Sequence, residues 1–394
     1  MYLKKKISNF LFYSLILSIG YYFTLLKGYG SDGDTIGLMK SFINFIQNNN
    51  YSPSRGYGHP IAEFIIGFLS YNFGATTSTF LSFIVFFLSL ILFYYSFDEF
   101  FLEDKSKIFI ILCLSNSLIL FDNINSSDFP WSLFFFSLGF FLMRKESYYF
   151  CCIFFALSVG CRYNFIIFVY AAIFSHWVIN LDKINFKKFV TICFGTFLGI
   201  FLIFFPLNFF YSEVVSYSFH DRVAVPGQGY NIESLLPRFI YKNFKLFGVY
   251  ACFAILFFII KELMFNKEKI FNSIIFKYSI LIILINFIIF FIFPAKISYL
   301  HSGIILIYLI LVFILEKKYL YLLIGLNLLQ WVVSYDLIKI TYKYQDICKP
   351  IHAISATIDP HYKSGEYFTM LEKISLKDCY SESFSKGLPI KLDY

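Results

Sequence analysis

The residue types best suited to chemistry are concentrated between residues 28 and 63. Asp32 and Asp34 follow a long apolar run there, within the sequence Gly-Tyr-Gly-Ser-Asp-Gly-Asp-Thr. Partial desolvation at a membrane boundary raises the pKa of a carboxylate, which suits it to accept a proton from an attacking hydroxyl. Asp34 is therefore the candidate general base, and Asp32 is the alternative. Their spacing could instead hold a divalent cation through oxygen ligands, or the carboxylates could only cap a solvated loop.

Arginine is rare in this chain, which has five arginines among its 33 basic residues. A retained arginine suggests a need for the planar guanidinium, which binds phosphate in a bidentate manner. Arg162 interrupts an apolar stretch, where a charge is costly and therefore a candidate for function. A side chain that snorkels from a helix end is the alternative. Arg55, Arg162, Arg222 and Lys296 are the candidate phosphate-binding residues.

His59 and Glu63 flank the start of a further apolar run that begins at Pro60. A carboxylate inside such a run is costly and is also a candidate for function. We therefore count His59 and Glu63 among the candidate substrate-binding residues. Glu63 could alternatively pair with Arg55 or His59 and only hold the shape of the loop, since ion networks can be purely structural.

The composition indicates which kind of element must position these residues. The apolar set that includes Tyr and Cys makes up 58% of the chain, and charged residues make up 15%. Soluble domains have about 45–50% apolar and about 25% charged residues, so a disordered chain is excluded and a soluble enzyme is disfavoured. We expect an all-α polytopic integral membrane protein with about 11–13 crossings. The net charge of +8 is spread over short basic clusters between apolar runs, so we expect no nucleic-acid partner.

Lysine and arginine predict the orientation, because cytoplasmic loops carry an excess of both. The N-terminus and five basic segments should lie inside: 103–107, 144–146, 182–188, 261–277 and 316–318. The outside segments are then 28–59, 122–128, 211–245, 294–301 and the polar tail 336–394. This scheme requires one net crossing over 60–97, which favours a re-entrant piece at 60–73.

We expect two domains from this pattern. Residues 1–335 should form a transmembrane domain, with large outer loops at 28–59 and 211–245. Residues 336–394 form a polar, extracytoplasmic tail, either a small cap or a loose extension. Within the first outer loop, residues 35–47 alternate apolar and polar side chains with helical spacing, which predicts an amphipathic, interfacial helix.

Segment 28–63 resembles the membrane-embedded glycosyltransferases of the GT-C fold, the group around protein mannosyltransferases and the aminoarabinose transferases of lipid A. The similar elements are the acidic residues after the first span, the amphipathic helix, and Tyr51-x-Pro-Ser-Arg-x-x-Gly-x-Pro-x-x-Glu63. A second similar element is Gly160-Cys-Arg-Tyr-Asn164. The resemblance implies a GT-C-like helix bundle in the plasma (inner) membrane, with an outward-facing site. It implies sugar transfer from a polyprenyl-phosphate carrier to a glycan, lipid or protein acceptor, with Asp34 as catalytic residue and Asp32 as the fallback.

Three classes of function remain open from the sequence. The first is the inverting glycosyltransferase, whose partners would be a lipid-linked sugar donor, its acceptor and membrane lipid. The second is a surface-polysaccharide repeat-unit polymerase that uses the arginines of loop 211–245. The third is a flippase or transporter for lipid-linked sugars, although charges gathered at one face disfavour it. Apart from the divalent cation considered above, the sequence predicts no cofactor, and no Cys/His spacing indicates a metal site.

Overall fold

The computed structural model describes residues 2–27, 34–54, 58–101, 105–207, 246–292, 300–331, 333–344 and 347–358, with single residues between 209 and 244. Up to residue 331 these segments are helical. In chain order the helices are α1 Tyr2–Lys27, α2 Asp34–Asn48, α3 Pro60–Tyr95, the 3-10 turn Asp98–Phe100, α4 Ser106–Ser115, α5 Ser117–Asn123, α6 Asp128–Arg144, α7 Tyr148–Cys161, α8 Phe165–Ile179, α9 Phe186–Pro206, α10 Val249–Asn272, α11 Ile274–Ile292, α12 His301–Ile314 and α13 Lys317–Leu329.

Five of these helices are long and apolar enough to cross a membrane: α1, α3, α9, α10 and α11. The α4–α5 pair, bent by 86°, adds a sixth if it forms one span. α7, α8 and α12 are shorter apolar helices of 10–17 residues. The described part of the chain is therefore a polytopic membrane helical bundle, as the composition predicts.

Contacts between basic loops define one end of this bundle, which we name the basic end. This end contains segments that, from the distribution of lysine and arginine, are predicted to lie on the same side of the membrane. The contacts run from Lys107 to Ser8, from Arg144 to Ser96 and Glu99, from Lys105 to Leu315, and from Lys261 to Tyr319. The grouping of these loops at one end was thus predictable from the sequence. Which end faces the cell interior stays a prediction.

The opposite end gathers residues from the predicted outer segments. His59 lies 3.9 Å from Asp128, and Asn123 contacts His301 at 3.1 Å. The described helices include five candidate spans, or six with the α4–α5 pair, so the expected number of 11–13 crossings stays a prediction.

The predicted pieces 60–73 and 76–97 form one helix, α3, with a break at Gly74. Gly74 has φ +80°, a left-handed conformation that residues with a Cβ rarely adopt. α3 counts as one candidate span of 36 residues by its length and composition. The re-entrant shape of 60–73 itself stays a prediction.

The bend between α4 and α5 exposes backbone carbonyls inside the bundle, and side chains of α13 and of the residues just after it satisfy them. The amide nitrogen of Asn327 donates to the carbonyl of Leu112 at 3.2 Å, and Trp331 donates to Ser115. Asn116, at the bend itself, caps α5 by accepting a hydrogen bond from the N–H of Ile119 at 3.1 Å. A broken helix at membrane depth requires such partners, because lipid supplies none.

The predicted amphipathic helix at residues 35–47 is present as α2, Asp34–Asn48. Its apolar face packs into the protein. Leu38, Met39 and Ile43 form a small buried cluster with Ala62 and Ile66 of α3. α2 is thereby fixed to the start of α3, the region that carries the other candidate residues.

A two-stranded antiparallel hairpin follows the bundle. β1 covers Val333–Tyr344 and β2 covers Ile347–Ile358, in a register that pairs Val333 with Ile358 and Tyr344 with Ile347. The sequence predicted either a cap or a loose extension here, without a regular element. The all-α description therefore applies to the bundle and not to this part of the tail. Residues 359–394 lie outside the described residues.

Candidate functional site

The loop between α2 and α3 is organised by one buried carboxylate, Glu63. It accepts hydrogen bonds from the backbone N–H of Ser54 at 2.8 Å and of His59 at 3.1 Å. The hydroxyls of Tyr51 and Ser54 donate to it as well. A carboxylate at 0% exposure is tolerable with this many donors, because they replace the water it has lost. Of the two interpretations of Glu63, the contacts favour the one that shapes the loop.

Tyr51 completes this arrangement from the other end of the loop. It is 1% exposed, and its pKa is raised, first by burial and then by the charge of Glu63. The phenol therefore stays protonated and acts as a permanent donor to Glu63. Gly58, with φ +83°, passes so close that a Cβ there would lie 2.0 Å from the Tyr51 oxygen. The Tyr-x-Pro-Ser-Arg-x-x-Gly sequence thus has a physical basis in a tightly closed loop.

A buried ion pair joins Arg162 to Asp128 at the same end of the bundle. The two side chains are 3% and 1% exposed, and Arg162 Nη1 donates to Asp128 Oδ2. His59 Nε2 lies 3.9 Å from the same oxygen. The guanidinium also lies 3.7 Å from the ring centroid of Phe129, a close cation–π contact. Because Arg162 points inward, the snorkelling alternative does not hold for it.

The helix ends explain why these residues meet. Asp128 is the first residue of α6, and Arg162 follows the last residue of α7. α6 and α7 form an antiparallel hairpin around a short turn at 145–147. One turn inside the ion pair, Ser132 donates to the carbonyl of Ser158 and Ser158 donates to that of Ser132, both at 2.8 Å. These reciprocal hydrogen bonds set the register that places Asp128 opposite Arg162.

His59 extends the cluster toward the surface. Its ring stacks on Tyr163, with centroids 5.7 Å apart and planes 7° from parallel. His59 is 2% exposed, whereas Tyr163 is 41% exposed. The stack therefore leads from the buried ion pair to the protein surface.

A small cavity of about 20 Å³ lies on the other side of Arg162, which is room for about one water molecule. Its polar lining comes from Arg162, Asn123, Asn164, His301 and Ser302. The cavity connects the ion pair to the start of α12. Its polar lining fits a water molecule or part of a polar ligand.

His301 has a defined hydrogen-bonding role at this cavity. The amide nitrogen of Asn123 lies 3.1 Å from Nδ1, so Nδ1 accepts, because an amide nitrogen can only donate. In the neutral ring the proton is then on Nε2, which lies 3.4 Å from a carboxylate oxygen of Asp122. His301 is the last residue of the predicted outer segment 294–301. The structure places His301 against segment 122–123.

The structure brings together three of the predicted site residues, namely His59, Glu63 and Arg162. Asp34 is the first residue of α2, and the Ser41 hydroxyl of that helix donates to the carbonyl of Ser52 at 2.6 Å. This bond ties α2 to the loop that Glu63 organises. The remaining predicted residues lie outside the described residues: Asp32, Arg55, Arg222 and Lys296.

Asp128 is the central residue that the sequence analysis missed. It was treated only as part of the outer segment 122–128. Its signal was nevertheless present, because the turn at 145–147 separates two apolar runs of similar length. Helices that leave a short turn antiparallel bring residues at equal distances from it together, and Asp128 and Arg162 are both 17 residues from Lys145. A charge at each of two such positions predicts an ion pair.

Within the described residues, no group of three or more His, Cys, Asp or Glu side chains is arranged to hold a metal ion. The Asp-x-Asp hypothesis for a divalent cation includes Asp32 and so stays a prediction.

Comparison with protein-family models, with curated protein sequences and with solved structures finds no match to this chain. The function therefore has to be argued from the geometry of the site. That geometry consists of a buried guanidinium held by a carboxylate, a stacked histidine beside it, and a closed loop that joins both to α2.

Proposed function

We propose that this protein is a membrane glycosyltransferase that moves a sugar from a polyprenyl-phosphate carrier to a glycan, lipid or protein acceptor. The observation that carries the proposal is the buried Asp128–Arg162 pair, with His59 beside it, at the end of the bundle where α2 begins. Asp128 holds the guanidinium of Arg162 in place at the end of the bundle. A guanidinium is the side-chain group best suited to recognise a phosphate, which supports a role for Arg162 in binding the carrier.

In the proposed reaction an acceptor hydroxyl attacks the anomeric carbon of the donor sugar. The new bond forms between the hydroxyl oxygen and that carbon, as the bond from the carbon to the carrier's phosphate oxygen breaks. Asp34 takes the proton of the hydroxyl, and Asp32 is the fallback for this role. Arg162 stabilises the phosphate leaving group, to which Arg55, Arg222 and Lys296 are further candidate ligands. A single displacement of this kind inverts the anomeric configuration, by analogy with inverting glycosidases.

The proposed location follows from the separation of charges along the bundle. The basic loops gather at one end and the candidate site lies at the other. Under the positive-inside rule the basic end faces the cytoplasm, so the site faces outward from the plasma (inner) membrane. A GT-C-like fold fits this layout, because α2 lies in the first loop on the same side as the site.

The test is a lipid-linked sugar profile of cells that carry Asp34→Asn. Asparagine keeps the size and capping ability of aspartate but removes the base. The matched control is Asp98→Asn, which removes an exposed carboxylate at the start of the 3-10 turn at the basic end. We expect a single-sugar carrier to accumulate in Asp34→Asn cells, with one sugar lost from a glycan. The control should keep the wild-type profile.

Other outcomes would replace the proposal. Accumulation of whole, unpolymerised repeat units would assign the chain to the polymerases. An unchanged profile, with the variant inserted at normal levels, would reduce Asp34 to a helix cap and move the search for the base to the Arg162 cluster.

A further inference from the structure

A second concave surface lies at the basic end, remote from the candidate site. It is a groove of about 490 Å³, within the size range of ligand sites. Four elements form it: the 3-10 turn with the residues after it, the last turns of α10, the end of α12 and the start of α13. We name it the lysine groove, after the side chains that line it: Lys105, Lys269, Lys317 and Lys318.

The described lining of the lysine groove carries more positive than negative charge. Among its described lining residues, four lysines face one carboxylate, Glu316. Glu316 is already committed to Lys318, whose Nζ lies 2.8 Å from it and lowers its pKa. Lys105 donates to the carbonyls of Val312 and Leu315 at 2.9 and 2.8 Å, so it is fixed at the wall. The described lining therefore favours an anionic ligand.

The floor of the lysine groove is apolar. It consists of Phe100, Phe101, Phe313, Ile314 and Leu315. The rings of Phe101 and Phe313 meet edge to face with centroids 6.1 Å apart, and the Lys269 ammonium lies 5.8 Å from the Phe313 centroid. The lysines alone would be enough to bind a free anion. An apolar floor under a basic rim fits an anion that carries a hydrocarbon chain.

The position of the groove in the bundle supports the same conclusion. α12 ends at Ile314 and α13 begins at Lys317, so the groove lies where the apolar segments stop and charged residues begin. In a bilayer this is the depth of the lipid headgroups, and basic pockets between helices at this level recognise anionic headgroups.

From these observations we propose that the lysine groove binds the phosphate headgroup of an anionic membrane lipid, with the lysines on the phosphate and the first part of the lipid chain on the aromatic floor. The bound lipid would contact α10, α12 and α13 together. This inference does not rest on the proposed sugar transfer, because it concerns the opposite end of the bundle.

The experiment uses the full chain in phosphatidylcholine nanodiscs, with and without phosphatidylglycerol. Native mass spectrometry counts the lipid molecules that stay bound, and a titration gives the affinity for phosphatidylglycerol. The test variant is Lys269→Gln with Lys317→Gln. The control is Lys183→Gln with Lys187→Gln, which removes the same charge from two exposed lysines of the α8–α9 region. Lys105 is left intact, because it holds the end of α12.

We expect wild type and the control to retain phosphatidylglycerol. The groove variant should bind it roughly ten- to thirty-fold more weakly, since each lysine near the membrane surface contributes about 1 kcal/mol to anionic lipid binding. Equal weakening in both variants would mean attraction to the whole basic face and would overturn the proposal. So would the absence of any preference for phosphatidylglycerol. Displacement of the lipid by inorganic phosphate at similar concentration would assign the groove to a free anion and overturn it as well.

Discussion

Two arginines, one at each end of the bundle, pair with a carboxylate and lie against aromatic rings, yet they are placed very differently. The side chain of Arg162 is 3% exposed and its partner Asp128 is 1% exposed. The side chain of Arg144 is 10% exposed, while its partner Glu99 is 54% exposed. Both side chains of the first pair are buried, whereas the carboxylate of the second pair is exposed.

The protein buries both members of the first pair, but it covers only the arginine of the second pair. Arg144 also lies 5.1 Å from the Tyr278 ring and 5.4 Å from the Phe97 ring, and donates to the carbonyl of Ser96. These contacts persist without Glu99. Arg162 and Asp128, by contrast, each leave an uncompensated buried charge when the other is removed. Arg162 and Asp128 therefore each depend on the other, whereas Arg144 keeps most of its contacts without Glu99.

The largest predicted effect comes from breaking the buried pair. Arg162→Ala or Asp128→Ala should lower the free energy of unfolding by about 3–5 kcal/mol, because one charge stays buried without its partner. Thermal unfolding in detergent micelles measures the effect. The double variant Arg162→Met with Asp128→Leu should recover most of the stability, since an apolar pair of similar size carries no charge to bury.

The same double variant separates structure from function. We expect it to fold but to lose sugar transfer, because the phosphate-binding guanidinium is gone. A double variant that is as unstable as either single variant would show that the pair contributes through packing and not through charge. A stable double variant with full activity would remove Arg162 from the proposed mechanism.

An intermediate effect is expected at Glu63. Glu63→Gln replaces one oxygen with an NH₂ group that faces donors, so at least one of its hydrogen bonds is lost without water to replace it. The cost should be about 1–3 kcal/mol. Limited proteolysis of the loop between α2 and α3, together with the unfolding temperature, measures it. Glu268→Gln, an exposed carboxylate on α10, is the control and should change neither quantity; equal effects in the two variants would contradict the buried role of Glu63.

The smallest effect is predicted for Glu99→Gln. An ion pair with an exposed partner contributes roughly 0–1 kcal/mol, so the unfolding temperature should hardly move. Arg144→Ala should cost more than Glu99→Gln, because it also removes the contacts with Ser96 and the rings. Similar losses for Glu99→Gln and Asp128→Asn in the same assay would invalidate the contrast between the two ends.

The helices were largely predictable because hydropathy acts locally. The amphipathic pattern at 35–47 became α2, Asp34–Asn48, and the run at 148–160 became α7, Tyr148–Cys161. The grouping of the basic loops also followed from the sequence. The β1–β2 hairpin was not predicted, although only residues 345–346 separate its two strands, because the sequence analysis found no clear period in the polar tail.

The candidate site was predictable only in part. His59, Glu63 and Arg162 were identified by residue type, since charged side chains next to apolar runs are rare and costly. Their partners were identified only in part. Glu63 was expected to pair with Arg55 or His59; it accepts a hydrogen bond from the backbone N–H of His59, and its other described donors are Tyr51 and Ser54. Hydrogen bonds of that kind depend on the path of the loop, which Gly58 and the buried Tyr51 determine together.

The sequence by itself determined that this chain is a membrane helical bundle, which basic loops share one end, and that charged residues suited to chemistry stand near residues 28–63 and at Arg162. Each of these properties depends on the composition of a short stretch. Only the tertiary structure decided that Asp128 pairs with Arg162, 34 residues away. The physical reason is register: Ser132 and Ser158 align α6 against α7, and this alignment determines which charges meet where the two helices end.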